Sequence, residues 1–315
     1  MPLAVLHSEA EWTARFGRPA RPAVVTVGNF DGVHFGHQRI LRRVQELARQ
    51  TGRASAVLTF YPHPWRVLRP SEAPALLMTL DQRLAAIDTI GVDAALVLRF
   101  DAELANVTAE DFVWRFLVDT IGAQAVLVGG NFRFGHRQQG DVKLLADLGT
   151  RCGFEVEIVP PVIANDIVVS STAIRNAVRE GRVEDARHLL GRPFALEGEI
   201  RIGTGQGRKL VVPTLNLATE QEALPNTGVY ATEAVVQGKT YRAATNVGVR
   251  PTFDGTRVTI ESHLFDFGED LTTGKMEVRF WARLRDEQKF SGPDALRRQV
   301  LKDIEAAKEY FAIPQ

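Results

Sequence analysis

The amino-acid sequence predicts an α/β domain with a doubly wound parallel sheet, followed by a second domain built as an antiparallel β-sheet or barrel. Up to about residue 190, short apolar runs alternate with amphipathic helical runs. After that point helix signals nearly vanish, and short runs separated by turn residues take over. A length of 315 residues fits two domains of ordinary size. We therefore predict domains at 1–187 and 188–315.

Five apolar runs of strand length lie in the first predicted domain, with amphipathic segments between them. They are AVVTV (23–27), ASAVLTF (54–60), AALVLRF (94–100), AVLVGG (125–130) and EVEIVP (155–160). The amphipathic segments carry helix signals: Gly52 ends the first one, Thr79 and Gln82 form a capping box, and Thr108 is an N-cap. Strands joined by helical crossovers form a parallel sheet, which binds ligands beyond the carboxyl ends of its strands.

The second predicted domain contains short runs that partly alternate apolar with polar residues. These runs are EGEIRIG, GVYATEAVV, TYRAATNVG, RVTIESHLFDF and KMEVRFWARL. Their pattern is typical of antiparallel strands. One amphipathic helix, PDALRRQVLKDIEAAKEYF, follows them, with Leu296, Val300, Ile304, Ala307 and Phe311 along one side. We expect this helix to close the domain.

Bulk composition limits the classes of function. Acidic and basic residues balance at 38 each, whereas a nonspecific nucleic-acid binder would carry a positive excess; small anionic ligands stay possible. The single cysteine, Cys152, cannot form an internal disulfide, and a reducing, cytoplasmic setting fits best. No apolar run is long enough to span a bilayer, and the N-terminus does not read as a signal peptide. We expect small-molecule partners, without nucleic acid or membrane.

The stretch GNFDGVHFGH places His34 and His37 between the first strand and a helix that we expect to start at Gly36 or His37. A helix N-terminus offers N–H groups and the positive end of the helix dipole to an anion. Gly32 and Gly36 allow a ligand to approach the backbone closely. Two other interpretations stay open: the histidines cap or pack, or they hold a metal with other histidines, although suitably spaced carboxylates are missing.

A second group of polar residues follows the last predicted strand of the first domain. Ser170, Ser171 and Thr172 crowd the start of a helix, and Arg175 lies one turn inside it. Hydroxyls, helix N–H groups and a guanidinium together suit a polyphosphate. An ordinary N-cap is the alternative, but one serine would be enough for that.

The two motifs together resemble the HxGH and [ST]xxIR signatures of the nucleotidylyltransferase superfamily. The ordered series GNFDGVHFGH, TFYPHP, VGGNFRFGHRQQGD and SSTAIR further resembles the N-terminal module of the bacterial bifunctional riboflavin kinase/FMN adenylyltransferase (FAD synthetase) family. The second domain continues the resemblance with LLGRPFALEGEI, GTGQGRKLVVPTLN, TNVGVRPTF, IESHLFDF and LRDEQKF. These collinear matches run from about residue 23 to 311. The resemblance implies a nucleotidylyltransferase domain followed by a riboflavin kinase β-barrel with a closing helix.

For the first domain, the resemblance implies transfer of AMP from ATP to FMN, which gives FAD and pyrophosphate. His34 and His37 would hold the ATP phosphates, and Arg175 would act with the three neighbouring hydroxyl residues on the leaving pyrophosphate. The further nucleotide-binding residues it implies are Gly28, Asn29, Phe30, Gly36, Asn131, Ser170, Ser171 and Thr172. On the flavin side it implies Pro62, His63 and Phe132.

For the second domain, the resemblance implies phosphorylation of riboflavin to FMN by ATP. The loop GTGQGRKL lacks the Gly-Lys-Ser/Thr of a Walker A motif, and in the family its counterpart forms a flap over ATP. The loop residues implied to bind ATP are Gly203, Gly205, Gly207 and Lys209.

Three further segments of the second domain carry implied site residues. Thr214 and Asn216 face one side of an extended chain and would hold Mg²⁺ and ATP phosphate, although a merely polar strand face is the alternative. Glu261 matches the family's catalytic carboxylate, whereas an isolated glutamate there would be an ordinary exposed residue. Arg285 and Phe290 fall in a segment that lines the flavin site.

The chain departs from the family pattern at two places in the kinase half. Val211, Val212 and Leu215 replace residues of the usual Gly-Phe-Pro-Thr-Ala-Asn, and Thr272 and Thr273 lie where Asp-Leu-Tyr-Gly is typical. Leu215 alternates with Thr214 and Asn216 and should point away from a bound metal. A bifunctional enzyme is the leading hypothesis. An enzyme with one intact activity and a non-catalytic flavin or nucleotide sensor on the same scaffold are the alternatives.

Overall fold

A computed structural model of the chain describes residues 2–17, 22–164, 166–201, 212–252, 255–269 and 271–313. The chain forms two compact units, Met1–Ser170 and Ser171–Gln315. Within the described ranges, no helix is both long enough and apolar enough to cross a membrane.

The first unit is a parallel β-sheet with helices on both faces. Its sheet strands are β1 (Ala4–Leu6), β2 (Ala23–Val27), β3 (Ala54–Tyr61), β4 (Ala94–Arg99), β5 (Ala123–Gly129) and β6 (Glu155–Val159). Its helices are α1 (Glu9–Phe16), α2 (Phe35–Thr51), α3 (Pro64–Leu68), α4 (Leu80–Asp88), α5 (Ala102–Ala105), α6 (Ala109–Phe112) and α7 (Val142–Cys152). Helix α6 continues as a π-helical segment, Val113–Ile121, and a short hairpin pairs β7 (Ile163–Ala164) with β8 (Ile167–Val168).

Among the described strands, the sheet order is β1-β4-β3-β2-β5-β6, with every pair parallel. The five predicted strands and the doubly wound class are confirmed. The edge strand β1 was not predicted, because three residues are too few to show a period. The chain runs from β2 to β3 and β4 on one side and then returns to place β5 on the other side of β2. The carboxyl ends of β2 and β5 therefore form the topological switch point at which such sheets bind ligands.

Two apolar layers hold the sheet between the helices. Val25 and Val27 of β2 pack in a core with Phe112, Phe116 and residues of α1 and α7. Side chains alternate along the strand, so Val24 points to the opposite face of the sheet and packs with Val44 of α2. Strand β2 is buried on both faces, which explains why it reads as a continuous apolar run.

The second unit is a closed antiparallel barrel with helices before and after it. Helices α8 (Ser171–Arg179) and α9 (Val183–Leu190) pack on each other, and α9 packs on the last barrel strand, β14 (Lys275–Arg285). The described barrel strands are β9 (Phe194–Arg201), β10 (Leu215–Thr219), β11 (Gly228–Val236), β12 (Lys239–Thr252), β13 (Gly255–Leu264) and β14 (Lys275–Arg285). They close in the order β10-β13-β12-β11-β14-β9. Helix α10 (Pro293–Ala312) covers the barrel through Ile304, Ala307 and Phe311, as predicted.

Hydroxyl groups form a buried chain inside this barrel. Thr232 Oγ1 lies 2.6 Å from Thr245 Oγ1, which lies 2.8 Å from Ser262 Oγ. All three residues are fully buried, so each hydroxyl satisfies its neighbour's hydrogen-bonding capacity. Because side chains alternate along a strand, an inward Ser262 places Glu261 on the outer surface of the barrel.

Candidate active sites

The loop after β2 lies at the switch point of the parallel sheet. Phe30, Gly32 and Val33 all have positive φ, at 52°, 87° and 38°. Left-handed backbone is costly for a residue with a side chain, above all for a β-branched one such as Val33. Both apolar side chains of this loop are buried, and their packing keeps the turn in this conformation.

His34 is the N-cap of α2. Its Nδ1 accepts a hydrogen bond from the backbone N–H of His37 at 3.3 Å, so the helix begins at Phe35, one or two residues earlier than predicted. A neutral imidazole that accepts at Nδ1 carries its proton on Nε2. His34 therefore combines the capping role with an N–H donor, and capping and anion binding are compatible.

The His34 and His37 rings stack on each other. Their centroids are 3.7 Å apart with planes tilted by 16°, and Phe30 contacts the His37 ring edge-on at 5.1 Å. A Cβ on Gly36 would lie 3.1–3.2 Å from atoms of the His34 ring, which is tighter than an ordinary contact and would push the ring from its present position. The first turn of the 17-residue helix carries no acidic side chain, so the positive end of the helix dipole meets no negative charge from the helix's own first turn.

The loops after β3 and β5 hold the other site residues predicted in the first unit. Asn131 is exposed after β5, and the half-buried Phe132 stacks on Phe134 with ring centroids 5.4 Å apart. Pro62 follows a cis peptide bond at the end of β3. His63 is 7% exposed, and its Nδ1 caps α3 by accepting from the N–H of Trp65 at 3.3 Å. The fold thus gives His63 a structural contact, while its flavin-binding role stays a prediction.

Asp31 and Arg83 were not identified from the sequence, although both lie beside the β2 loop and each is 4% exposed. The Asp31 carboxylate accepts hydrogen bonds from the N–H groups of Leu77 and Met78 at 3.1–3.2 Å. Arg83 Nη1 donates to the carbonyl oxygen of Asn29 at 2.5 Å. The usable signal was Arg83's position four residues before the buried Ile87, on the apolar face of α4.

The hydroxyl-rich motif opens α8 as predicted. Helix α8 starts at Ser171, with Thr172 exposed and Arg175 half-buried within it. Ser170, the last residue of the first unit, follows Val169, whose carbonyl oxygen lies 3.8 Å from the position of a Cβ on Gly36. In the first unit, the chain entering the motif therefore passes beside the N-terminus of α2.

On the outer surface of the barrel, the strand register places three polar residues side by side. Asn216 of β10 pairs with Glu261 of β13, and Glu261 pairs on its other side with Asn246 of β12. Directly opposed residues have Cβ atoms about 4.5–5.5 Å apart. Asn216 and Glu261, which were predicted separately as site residues, are thus brought together, and Asn246 joins them. The sequence alone did not indicate that β12 and β13 pair in the register that places Asn246 opposite Glu261.

His263 anchors the segment that carries Thr214. Its Nδ1 lies 2.9 Å from the carbonyl oxygen of Pro213, and its ring contacts Phe265 edge-on. Leu215 is 8% exposed while Asn216 is half-buried, so the side chains alternate as expected and Leu215 points into the barrel.

Arg285 and Phe290 lie together. The Arg285 guanidinium forms two hydrogen bonds with the Asp303 carboxylate, at 2.7 and 2.6 Å, and lies 6.0 Å from the centroid of the Phe290 ring. Asp303 is 6% exposed, so this ion pair ties the end of β14 to α10. The residues Gly203, Gly205, Gly207, Lys209 and Val211 lie outside the described residues.

A metal site built on the histidines finds no support in the geometry. In the part of the chain that the structure describes, no three His, Cys, Asp or Glu side chains converge to hold a metal ion. His34 uses Nδ1 as a helix cap, and His63 does the same in α3.

The fold and the placement of the candidate residues define a class of protein. An α/β domain carries a stacked histidine pair at a helix N-terminus at its switch point, and the same chain continues into a β-barrel with a surface carboxylate between two amides. Comparison with known families identifies both parts. The model described as FAD synthetase matches residues 18–173, and the one described as riboflavin kinase matches residues 190–311.

Whole-chain relatives show the same combination. A bifunctional riboflavin kinase/FMN adenylyltransferase of Pseudomonas fluorescens is 39% identical over 293 residues, which cover 93% of this chain and 94% of the relative. The enzyme of that description from Escherichia coli K12 is 36% identical over 296 residues, 94% and 95% of the two chains. The chain belongs to the bifunctional riboflavin kinase/FMN adenylyltransferase family and is an enzyme of flavin cofactor synthesis.

A solved structure also matches along the whole chain. It is a crystal structure described as a macrolide-efflux protein from Streptococcus pneumoniae, with a TM-score of 0.86 and 29% identity. The match covers 98% of this chain and 99% of the other.

Proposed function

We propose that the chain first phosphorylates riboflavin at its barrel and then adenylylates the resulting FMN at its parallel sheet, with the residue roles given below. The observation that carries the adenylylation half is the stacked His34–His37 pair at the N-terminus of α2, at the switch point of a doubly wound sheet. This arrangement offers N–H donors to phosphate oxygens without an acidic side chain in the first helical turn.

In adenylyl transfer, an oxygen of the FMN phosphate attacks the α-phosphorus of ATP as the bond to the β-phosphate oxygen breaks. Two anions approach each other, so the protein must chiefly neutralise charge and orient the reactants. His34, through Nε2–H, and His37 would stabilise charge on the reacting phosphates. Arg175 would act with its hydroxyl neighbours on the departing pyrophosphate, and Asn131 would contact the nucleotide.

In the kinase half, the 5′-hydroxyl of riboflavin would attack the γ-phosphorus of ATP as the bond to the bridging β,γ-oxygen breaks and ADP leaves, and Glu261 would accept the hydroxyl proton. Asn216 and Thr214 would hold Mg²⁺ through an amide oxygen and a hydroxyl. Mg²⁺ suits this small donor set, since it keeps several waters and takes its remaining ligands from substrate phosphates. The ion would neutralise charge on the phosphates of ATP.

We also propose a functional boundary at 187/188 and a cytoplasmic location. The matched family ranges support the boundary, because they stop at 173 and resume at 190 and so leave most of α8 and all but the end of α9 between them. The single cysteine of the sequence supports a reducing compartment.

One assay tests the whole proposal. Purified protein is incubated with riboflavin, ATP and Mg²⁺, and the flavins are separated by chromatography. We expect FMN to appear first and FAD after it. FMN alone would indicate that only the kinase is intact. A parallel incubation with FMN in place of riboflavin covers the reverse case, in which FAD forms only from added FMN. Neither product in either incubation would indicate a sensor.

A further inference from the structure

A buried arginine joins the carboxyl ends of two neighbouring strands in the first unit. Arg83 of α4 is 4% exposed, and its Nη1 donates to the Asn29 carbonyl at 2.5 Å, just beyond β2. The same nitrogen lies 3.3 Å from Thr59 Oγ1 and 3.4 Å from the carbonyl oxygen of Phe60, both in β3. One guanidinium nitrogen thus contacts both the segment that follows β2 and the end of the neighbouring strand β3.

The two segments that Arg83 contacts lead into different halves of the proposed adenylylation site. Five residues after Asn29 comes His34, on the nucleotide side. Two residues after Phe60 comes Pro62, in the segment proposed to bind the flavin. Fixing Asn29 and Phe60 to one side chain therefore fixes the nucleotide loop relative to the flavin loop.

Asp31 attaches the same nucleotide loop to the segment before α4. Its carboxylate accepts from the N–H groups of Leu77 and Met78, and its charge attracts that of Arg83. Between these two attachments lies Phe30, with a φ of 52°. Strained backbone of this kind persists where the surroundings over-determine it, and it is frequent at functional sites.

Stability alone gives a poor account of Arg83. Burial lowers its pKa, which shows that the charged form is held at a cost, and its Nε has no hydrogen-bond partner among the described residues. Burying a charged group costs free energy, and an apolar side chain of similar volume would avoid that cost. An arginine at this position is therefore better explained by its contacts with the segment after β2 and with the end of β3, which it orients relative to each other.

We propose that Arg83 is a positioning residue for adenylyl transfer, which sets the nucleotide loop against the flavin loop so that the FMN phosphate meets the α-phosphorus of ATP in line. The inference rests on the proposed function of this site. In-line attack is sensitive to placement, and an error of about 1 Å can lower the rate by about 10²-fold.

The test compares Arg83→Met, Arg83→Lys and the control Arg115→Met. Arg115 pairs with Glu9 between α1 and the π-helical segment and is not in the proposed site. With ATP and FMN as substrates, we expect Arg83→Met to lower kcat for FAD formation by about 10- to 100-fold, with KM for both substrates within about threefold. Arg83→Lys keeps one charged donor and should recover part of kcat, and Arg115→Met should match the unmodified enzyme.

A double variant separates positioning from general destabilisation. If Arg83 acts through the histidine loop, the two substitutions should not act independently. The fold-loss in kcat of the double variant Arg83→Met/His34→Asn should then be smaller than the product of the fold-losses of the two single variants. Three outcomes would overturn the proposal. The effects of the two substitutions could multiply in the double variant, Arg83→Met could keep kcat within twofold of normal, or Arg83→Met could lose kcat and the affinity for both substrates equally. Arg83 lies in the first unit and the kinase site in the second, so thermal unfolding followed by circular dichroism, and not riboflavin phosphorylation, reports whether the first unit has folded in each preparation. If Arg83→Met does not fold, Arg83→Lys decides. Absence of FAD formation by the unmodified enzyme would instead overturn the proposed function.

Discussion

The His34 and His37 rings stack with centroids 3.7 Å apart, and the backbone N–H of His37 donates to Nδ1 of His34. The second histidine thus fixes both the orientation and the tautomer of the first. With Nδ1 engaged as an acceptor, the fixed His34 ring keeps Nε2–H as the donor that the proposed adenylyl transfer would use on a phosphate oxygen.

Two substitutions separate capping from anion binding at His34. Asparagine is a good N-cap and alanine is not. We expect both His34→Asn and His34→Ala to lower FAD formation from FMN and ATP by roughly 10²–10³-fold, because both remove the Nε2–H donor. Only His34→Ala should also destabilise the chain, by about 1 kcal/mol in chemical denaturation. Normal FAD formation by either variant would rule out a role for the ring.

Gly36 tests whether the position of the His34 ring matters. A Cβ there would lie 3.1–3.2 Å from the ring, so Gly36→Ala should displace it. Alanine is favoured over glycine inside a helix by about 0.5–1 kcal/mol, so stability should hold or rise. We expect kcat for FAD formation to fall about tenfold or more while the thermal midpoint does not fall. A variant as active as the parent would show that the ring tolerates displacement.

Regular patterns explain what could be predicted from the sequence. Five strands of the parallel sheet, the capping box at Thr79 and the helix-opening motif at Ser171 are local features, each encoded in a few neighbouring residues. The barrel interior likewise follows from alternation, as at Leu215 and Asn216. The family resemblance then supplied residue roles that these patterns could not.

Contacts between distant segments could not be predicted. Asp31 reads as a turn residue, and the position of Arg83 on the apolar face of α4 does not reveal its partners, because these contacts depend on the loop after β2 meeting α4 and the segment before it. Asn246 is revealed only by strand register, which local sequence does not specify. His63 illustrates the converse: its place in TFYPHP suggested a ligand contact, and the structure adds a helix cap.

Glu261→Gln tests the proposed kinase base. Glutamine keeps the shape and one acceptor oxygen but cannot take up the hydroxyl proton. We expect FMN formation from riboflavin to fall by about 10²–10⁴-fold, with FAD formation from supplied FMN unchanged. Glu199→Gln, on an exposed glutamate of β9, is the matched control and should phosphorylate riboflavin normally. Near-normal FMN formation by Glu261→Gln would exclude it as the base.

Tyr230 should make the stability of the barrel depend on alkaline pH. Its hydroxyl donates to the carbonyl oxygen of Asn226, and burial raises the pKa of Tyr230 from 10.0 to about 12. Between these values the folded chain keeps the phenolic proton, whereas the unfolded chain has lost it. The contribution of this group to stability is therefore complete below pH 10 and is lost as the pH rises toward 12, by roughly 1.4 kcal/mol per pH unit. Denaturant titrations at pH 9, 10 and 11 should show this decline, and Tyr230→Phe should flatten it while lowering stability at pH 9, because the Asn226 carbonyl then loses its donor. An equal alkaline slope in the two proteins would assign the pH dependence to other groups.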